Sequence, residues 1–349
     1  MLTLYADLKG IYGQDRYKIA YREILEAVKN RPGGEKRQSG YSGRILGEEE
    51  PVSFGQRDPV YRRLLELLDL SGCHRKELLG RGLTEEQIEA YQFRSTPAYG
   101  TENLARKLVR EEYSLAGVPG FFFNDRRNWD IAFYRANRGI LCPAYSLDGE
   151  IAGFQIRLDE PMNDRKYLWL SSTNRNRGAG SRSPVTFLGD PSDRTVRVTE
   201  GILKATVAHA LSGYSFLGTP GVSQYKELRK ALTVLKRNGL EEVYEEYDMD
   251  KKLNIQCFGD YKSSVCSCCS RYIPGGDGGI CEKKQNKRDQ IQDGCCRLYE
   301  ICEDLELRCV RKTWDMDPEG IWQGNLKGID DYWWDRKQKE GYKRDFIRN

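Results

Sequence analysis

The feature that most constrains this chain is the alternation of short apolar runs with amphipathic segments from Thr195 onward. Residues 195–199 read as a strand, and Leu203, Val207, Ala210 and Leu211 then share one helical face. Residues 214–217 form a second short run; after Thr219-Pro220-Gly221, Leu228, Leu232 and Leu235 mark a second helix. Residues 242–247 read as a third strand leading directly into Asp248-Met249-Asp250. Ile291, Cys295, Leu298, Cys302 and Leu305 lie along a last helix, and residues 307–313 form a last strand. This order predicts an α/β fold with a mainly parallel sheet and crossover helices.

In such a sheet the loops leaving the carboxyl ends of the strands converge on one edge, where ligands bind. Glu200 follows the first strand, and Asp248 with Asp250 follows the third, so three carboxylates distant in sequence are expected in one cleft. Along extended chain the Asp-x-Asp spacing sends both carboxylates to one side and Met249 into the core. Clustered carboxylates repel one another unless a hard cation such as Mg²⁺ or Mn²⁺ neutralises them. Such an ion can also hold phosphate oxygens during phosphoryl or nucleotidyl transfer.

Upstream the texture differs. Residues 1–116 are expected to be a helical region: one helix around 17–29 ends at Asn30-Arg31-Pro32-Gly33-Gly34, a linker lies near 30–55, and a second helix runs from Val60 to Leu70. Thr84-Glu85-Glu86-Gln87 is a capping box opening a short helix toward Tyr91. Residues 117–192 carry short apolar runs joined by Asp148-Gly149, a turn signal, and are expected to be β-rich. The βα array then occupies 193–335, interrupted by a cysteine-rich insertion at 251–286 and followed by a tail at 336–349.

Lys and Arg number 56 against 52 Asp and Glu, too even a balance to prove a polyanionic partner, so the distribution of charge matters more than its total. Arg157, Arg165, Lys166, Arg175, Arg177 and Arg182 lie between or after the β segments and are candidates for contact with nucleic acid or nucleotide phosphates; a solvated basic loop is the plainer reading. Lys204, in the first turn of the helix after Glu200, is a further phosphate candidate or a solvated lysine. Tyr167, Trp169 and His209 read as packing residues, and Trp333 with Trp334 as anchors of the C-terminal segment. No run approaches the roughly 20 apolar residues needed to span a bilayer, and no N-terminal signal pattern is present, so a cytoplasmic protein without a membrane partner is expected.

That setting leaves the 11 cysteines as reduced thiols or metal ligands rather than a disulfide framework. Cys266, Cys268, Cys269 and Cys281, with Cys257 in reserve, crowd a glycine-rich stretch with little apolar material of its own. Structural Zn²⁺, free thiols and a redox role are the open readings.

The order strand, Glu200-Gly201, helix, strand, helix, strand, Asp248-Met249-Asp250 resembles the Toprim domain of primases and topoisomerases. Residues 139–157 and 166–172 look like the basic subdomain that precedes it in bacterial-type primases. Glu-Gly-x-x-Lys-Ala at 200–205, Asp-x-Asp at 248–250 and Lys-Gly-Ile-Asp-Asp-Tyr at 327–332 are similar to motifs of the Toprim-like primase family of phages, plasmids and integrative elements. Across roughly residues 60–335 the resemblance implies a Toprim domain preceded by a β-rich basic primase-like subdomain and a small helical N-terminal region. It implies Mg²⁺ or Mn²⁺ bound by Asp248 and Asp250, Glu200 as an acid/base or metal-organising carboxylate, and Asp330 or Asp331 as an additional acid. It further implies a primase-like nucleotidyltransferase of a mobile genetic element, working on single-stranded DNA with nucleoside triphosphates and paired with a replicative helicase. A Toprim nuclease and a non-catalytic single-strand-binding accessory protein are the alternatives. The chain departs from bacterial primases in its first hundred residues, where Cys73 and His74 are too few for an N-terminal zinc module.

Overall fold

A computed structural model describes Glu23, residues 49–162, 165–222 and 224–347, the last seven by backbone alone. The residues described from 49 onward lie in one compact unit, which holds both major sheets. Apart from Glu23, which is helical, the helix expected at 17–29 lies outside the described residues, as does most of the linker near 30–55.

Three helices open the described fold: α1 (Phe54–Glu66), α2 (Gly72–Gly80) and α3 (Glu85–Ala90). The helix expected from Val60 begins six residues earlier, because Ser53 caps it through a reciprocal pair with Gln56 and Pro59 falls in the second turn. The capping box at Thr84 forms as expected, with Gln87 N donating to Thr84 Oγ1 at 3.2 Å. After β1 (Arg94–Ser95) and α4 (Thr101–Arg110), β2 (Phe121–Phe123) pairs with β3 (Trp129–Ile131) as a small ribbon. β4 (Gly139–Tyr145), β5 (Ile151–Met162) and β6 (Arg165–Trp169) complete an antiparallel sheet of order β1-β4-β5-β6. One face of this sheet is packed by α1 and α4 through Tyr61, Leu64, Leu108, Phe154 and Ile156.

The second sheet has the order β11-β10-β8-β9-β7. β7 (Thr186–Leu188) runs antiparallel at one edge; β8 (Thr195–Glu200), β9 (Phe216–Thr219), β10 (Glu242–Glu245) and β11 (Arg308–Arg311) run parallel. Alternate residues of β8 explain the layering: Val196 and Val198 face α6 (Tyr225–Arg237) and α8 (Glu282–Asp304), where they meet Leu228, Leu232, Leu298 and Ile301. α5 (Ile202–Ser212) covers the other face. It is apolar around most of its girth, and Ile202, Leu203 and Val207 pack against Leu78, Ile88, Ile140 and Cys142 of the first half of the fold. One buried helix thus joins the two sheets. Gly218 permits its close approach, since a Cβ there would lie 2.7 Å from that of Ala205. α9 (Ile329–Ile347) lies beside α5. No helix among the described residues is long and apolar enough to cross a membrane.

The insertion proves shorter than 251–286. α8 already begins at Glu282, and residues 249–252 are a 3₁₀ turn closing on the sheet; what remains between them is mostly irregular, with one short helix, α7 (Ser263–Cys266).

Candidate active site

The chain leaves β8 to form β9 on one side and later returns to place β10 on the other, so the connections diverge between β8 and β10. This is the position at which a parallel sheet opens a crevice beyond its carboxyl ends. Glu200 ends β8. Gly201 then turns the chain into α5 with φ +96°, a conformation that glycine adopts without steric cost. Three residues on, the first turn of α5 presents Lys204, which is paired with Asp248.

Asp248 stands at the N-cap position of a 3₁₀ turn, Met249–Lys252, where the sequence suggests a continuing extended chain. Met249 nevertheless enters the core, and Asp248 and Asp250 are 2% and 3% exposed. The turn is fixed from behind. Lys251 Nζ donates to Glu245 Oε1 at 2.7 Å, Arg311 Nε to Glu245 Oε2 at 2.9 Å, and Tyr247 N to Glu245 Oε1 at 2.9 Å.

Cations surround the aspartates. Lys327 Nζ lies 3.2 Å from Asp248 Oδ2 and 2.8 Å from Asp250 Oδ2, bridging the two, and Lys287 Nζ lies 3.0 Å from Asp250 Oδ2. Asp330 Oδ2 accepts from Arg81 Nη1 at 3.2 Å, while its buried Oδ1 has no hydrogen-bond partner. Burial opposes ionisation of Asp248, but Lys204 and Lys327 outweigh it and hold this carboxyl below the usual range. Burial raises Glu200, and Asp248 and Asp250 add to that effect against Lys204 and Lys327. Burial likewise raises Asp330. Burial of the Lys204 ammonium is more than offset by Asp248, Asp330 and Glu200, which leaves its affinity for the proton raised.

Beyond this floor the field changes sign. Lys166, on β6, is lowered by burial and then by the positive charges of Lys327, Arg157, Lys262 and Lys204. Lys166 has no ion pair among the described residues, so a rim of cations from four separated segments borders the acidic floor. The sequence points to Lys327 only through its motif and to Lys262 and Lys287 not at all, because each is an ordinary lysine in a polar stretch whose role depends on where the insertion and α8 fold back.

The arginines expected on phosphates are largely engaged elsewhere. Arg157 Nε donates to Glu77 Oε1 at 2.6 Å and stacks on Tyr167; Arg177 pairs with Glu49 at 2.6 Å and lies over Phe123 and Trp129. Arg175 lies over Phe122 and Tyr134, and Arg182 pairs with Glu50 at 2.8 Å. His209, read from sequence as an ordinary packed or surface imidazole, has its Nδ1 at 2.7 Å from Tyr214 O.

Among the described residues no three or more Cys, His, Asp or Glu side chains stand around one metal position. The thiols of Cys266, Cys268, Cys269 and Cys281 are thus not gathered around one position; Cys268 and Cys269 are exposed, on an irregular segment. Asp330 is held by Arg81 and is not grouped with Asp248 and Asp250 around one position. The aspartates themselves do fit Mg²⁺ or Mn²⁺. Two hard carboxylates already share one cation, the Lys327 ammonium, and Mg²⁺ is commonly held by one or two carboxylates together with substrate phosphates.

No family model matches the chain, and no curated protein matches it in sequence. In structure it is similar to the zinc-binding and RNA polymerase domains of the Aquifex aeolicus primase, at 12% identity and a TM-score of 0.43, over 87% of this chain and 70% of that one. It is similar to the RNA polymerase domain of Mycobacterium tuberculosis primase DnaG in complex with a double-stranded DNA oligomer with a 6-nucleotide overhang, at 16% identity and 0.44, over 72% and 84%. A third likeness is to the DnaG primase catalytic domain bound to single-stranded DNA, at 14% identity and 0.38, over 77% and 87%.

Proposed function

We propose that this chain is a primase-like nucleotidyltransferase of the Toprim type that acts on a single-stranded DNA template in the replication of a mobile genetic element. The observation that carries the reading is the buried pair Asp248 and Asp250 at the end of β10, next to Glu200 at the end of β8 and bordered by lysines from β6, the insertion, α8 and the segment before α9. An acidic floor with a cationic rim suits a substrate that is itself a metal-bound polyphosphate. Asp248 and Asp250 would hold Mg²⁺ or Mn²⁺, which when bound neutralises phosphate oxygens and favours attack at phosphorus. Glu200, raised by burial, keeps a proton to higher pH than a free carboxyl and can hold or pass one at its carboxylate oxygens. Lys166 and Lys262, which repel other cations, bind phosphate and so position nucleotide or template. Nucleoside triphosphates are the expected co-substrates, and a replicative helicase is the expected partner in such a replication system. The motifs at 200–205, 248–250 and 327–332 support the assignment to mobile-element primases by resemblance.

The test is template-directed incorporation of labelled nucleotides on single-stranded DNA with Mg²⁺ or Mn²⁺. Asp248→Asn and Asp250→Asn should each lower the rate by about 100-fold or more, the scale seen when one charge-stabilising group is removed from an active site. A folded variant with full metal-dependent synthesis would remove these aspartates from the chemistry. Metal-dependent cleavage of DNA without synthesis would favour a nuclease.

A further inference from the structure

We propose that Lys327 is the resident cation of this site: it occupies the place between Asp248 and Asp250, gives it up to the divalent ion, and then binds the phosphate that arrives with that ion. The inference rests on the function proposed above and adds a substrate-binding residue to it.

The geometry separates Lys327 from its neighbours. Among the described residues its ammonium is the one that touches both aspartates, at 3.2 and 2.8 Å. Its side chain is 46% exposed, so the ammonium can swing outward without losing a buried packing site. The stem does not move with it: Lys327 O accepts from Met249 N at 2.9 Å, and the next residue, Gly328, donates its N–H to Asp331 Oδ2 at 3.0 Å. Lys204 is the opposite case. It sits on α5 with 21% of its side chain exposed, pairs with the other oxygen of Asp248, and is held by the charges of Asp330 and Glu200 as well. Lys287 meets Asp250 alone. Departure of Lys327 therefore opens one shared cation position and leaves the other pairs standing.

A displaced Lys327 ammonium enters a region already crowded with positive charge, as the influence of Lys327 on Lys166 shows. That repulsion is relieved by an anion. The same side chain consequently opposes metal alone and favours metal with phosphate. These opposite signs distinguish exchange from a merely structural role.

Calorimetric titration of the full chain tests this, first with Mn²⁺ alone and then with ATP at saturating Mn²⁺. A competitor that fills the site about nine-tenths of the time lowers apparent affinity about tenfold, so Lys327→Met should bind Mn²⁺ about tenfold more tightly. It should bind ATP in the presence of Mn²⁺ at least several-fold more weakly. Lys327→Gln, of different shape, should behave like Lys327→Met, and Lys327→Arg like the parent. Lys166→Met, which removes a rim charge that does not touch the aspartates, should weaken ATP binding without the gain in Mn²⁺ affinity. Shifts of Mn²⁺ and ATP affinity in the same direction, or an equal Mn²⁺ gain from Lys166→Met, overturn the inference. Mn²⁺ binding that is lost in Asp248→Asn but identical in parent and Lys327→Met overturns it while leaving the metal reading intact. A parent chain that binds Mn²⁺ no better than Asp248→Asn overturns both.

Discussion

Glu246, the residue after β10, gives one carboxylate oxygen to Arg197 and leaves the other buried without a hydrogen-bond partner. Burial pushes its pKa up to about 7 from the usual 4.5, although Arg197 pulls the other way. A carboxyl raised on folding holds its proton more firmly in the folded than in the unfolded chain. Its contribution to stability is therefore full below about pH 4.5 and declines as pH rises to about 7, by on the order of 3 kcal/mol across the whole interval. Glu246→Gln has no proton to lose there. The stability of this variant relative to the parent should rise between pH 4.5 and 7, read from urea unfolding at several pH values. A difference that stays flat would mean that Arg197 keeps Glu246 ionised throughout. The acids of the cleft follow a related logic, since one charge, Asp248, is stabilised by lysines while Glu200 is raised by burial.

At the scale of elements, the decisive connection is the network around Glu245, which ties β10, the 3₁₀ turn, α8 and β11 together. Neither Glu245 nor Lys251 has exposed side-chain surface, and Tyr299 OH lies between Arg311 and Glu245. Removing one member of a buried ion pair leaves the other charge unpaired, so Glu245→Ala should lower stability by about 3–5 kcal/mol. Chemical denaturation measures this directly, and a loss below about 1 kcal/mol would show that water or a neighbour replaces the carboxylate. The sequence makes the strands of this region legible through apolar alternation, and it marks the Glu200 turn through Gly201. It does not reveal that Glu245 and Lys251 are core residues, because two charges six residues apart look solvated until the turn between them folds them onto each other. The same limit explains the cysteine region. Clustered thiols suggest a metal, whereas the backbone between Leu253 and Cys281 leaves them dispersed and partly exposed. Likewise the arginines at 157, 175, 177 and 182 look free in sequence but find acids or rings that only the fold supplies.

For the whole molecule, the function proposed above would, with Arg157 paired to Glu77, place the weight of nucleic-acid binding on Lys166. Lys166→Ala should weaken single-strand binding about equally across sequences and lower the slope of log affinity against log salt by about 1, as loss of one phosphate contact does. Fluorescence anisotropy at several salt concentrations would show it, and an unchanged slope would place the backbone contact elsewhere.

Arg81, just after α2, and Asp330 of α9 meet across 249 residues of sequence, and the ring of Trp334 packs so closely on Gly82 that a Cβ there would overlap it. A loop of that length is slow to close, and its ends cannot meet until the later one has left the ribosome. While the chain is being made, the sheet can form up to β11 with Lys204 and Arg81 still lacking Asp330, and with Lys327 not yet on the aspartates. Completion of the cleft thus waits until Lys327 and Asp330 have emerged, so a chain made only as far as β11 still lacks both side chains at the aspartates and at Arg81.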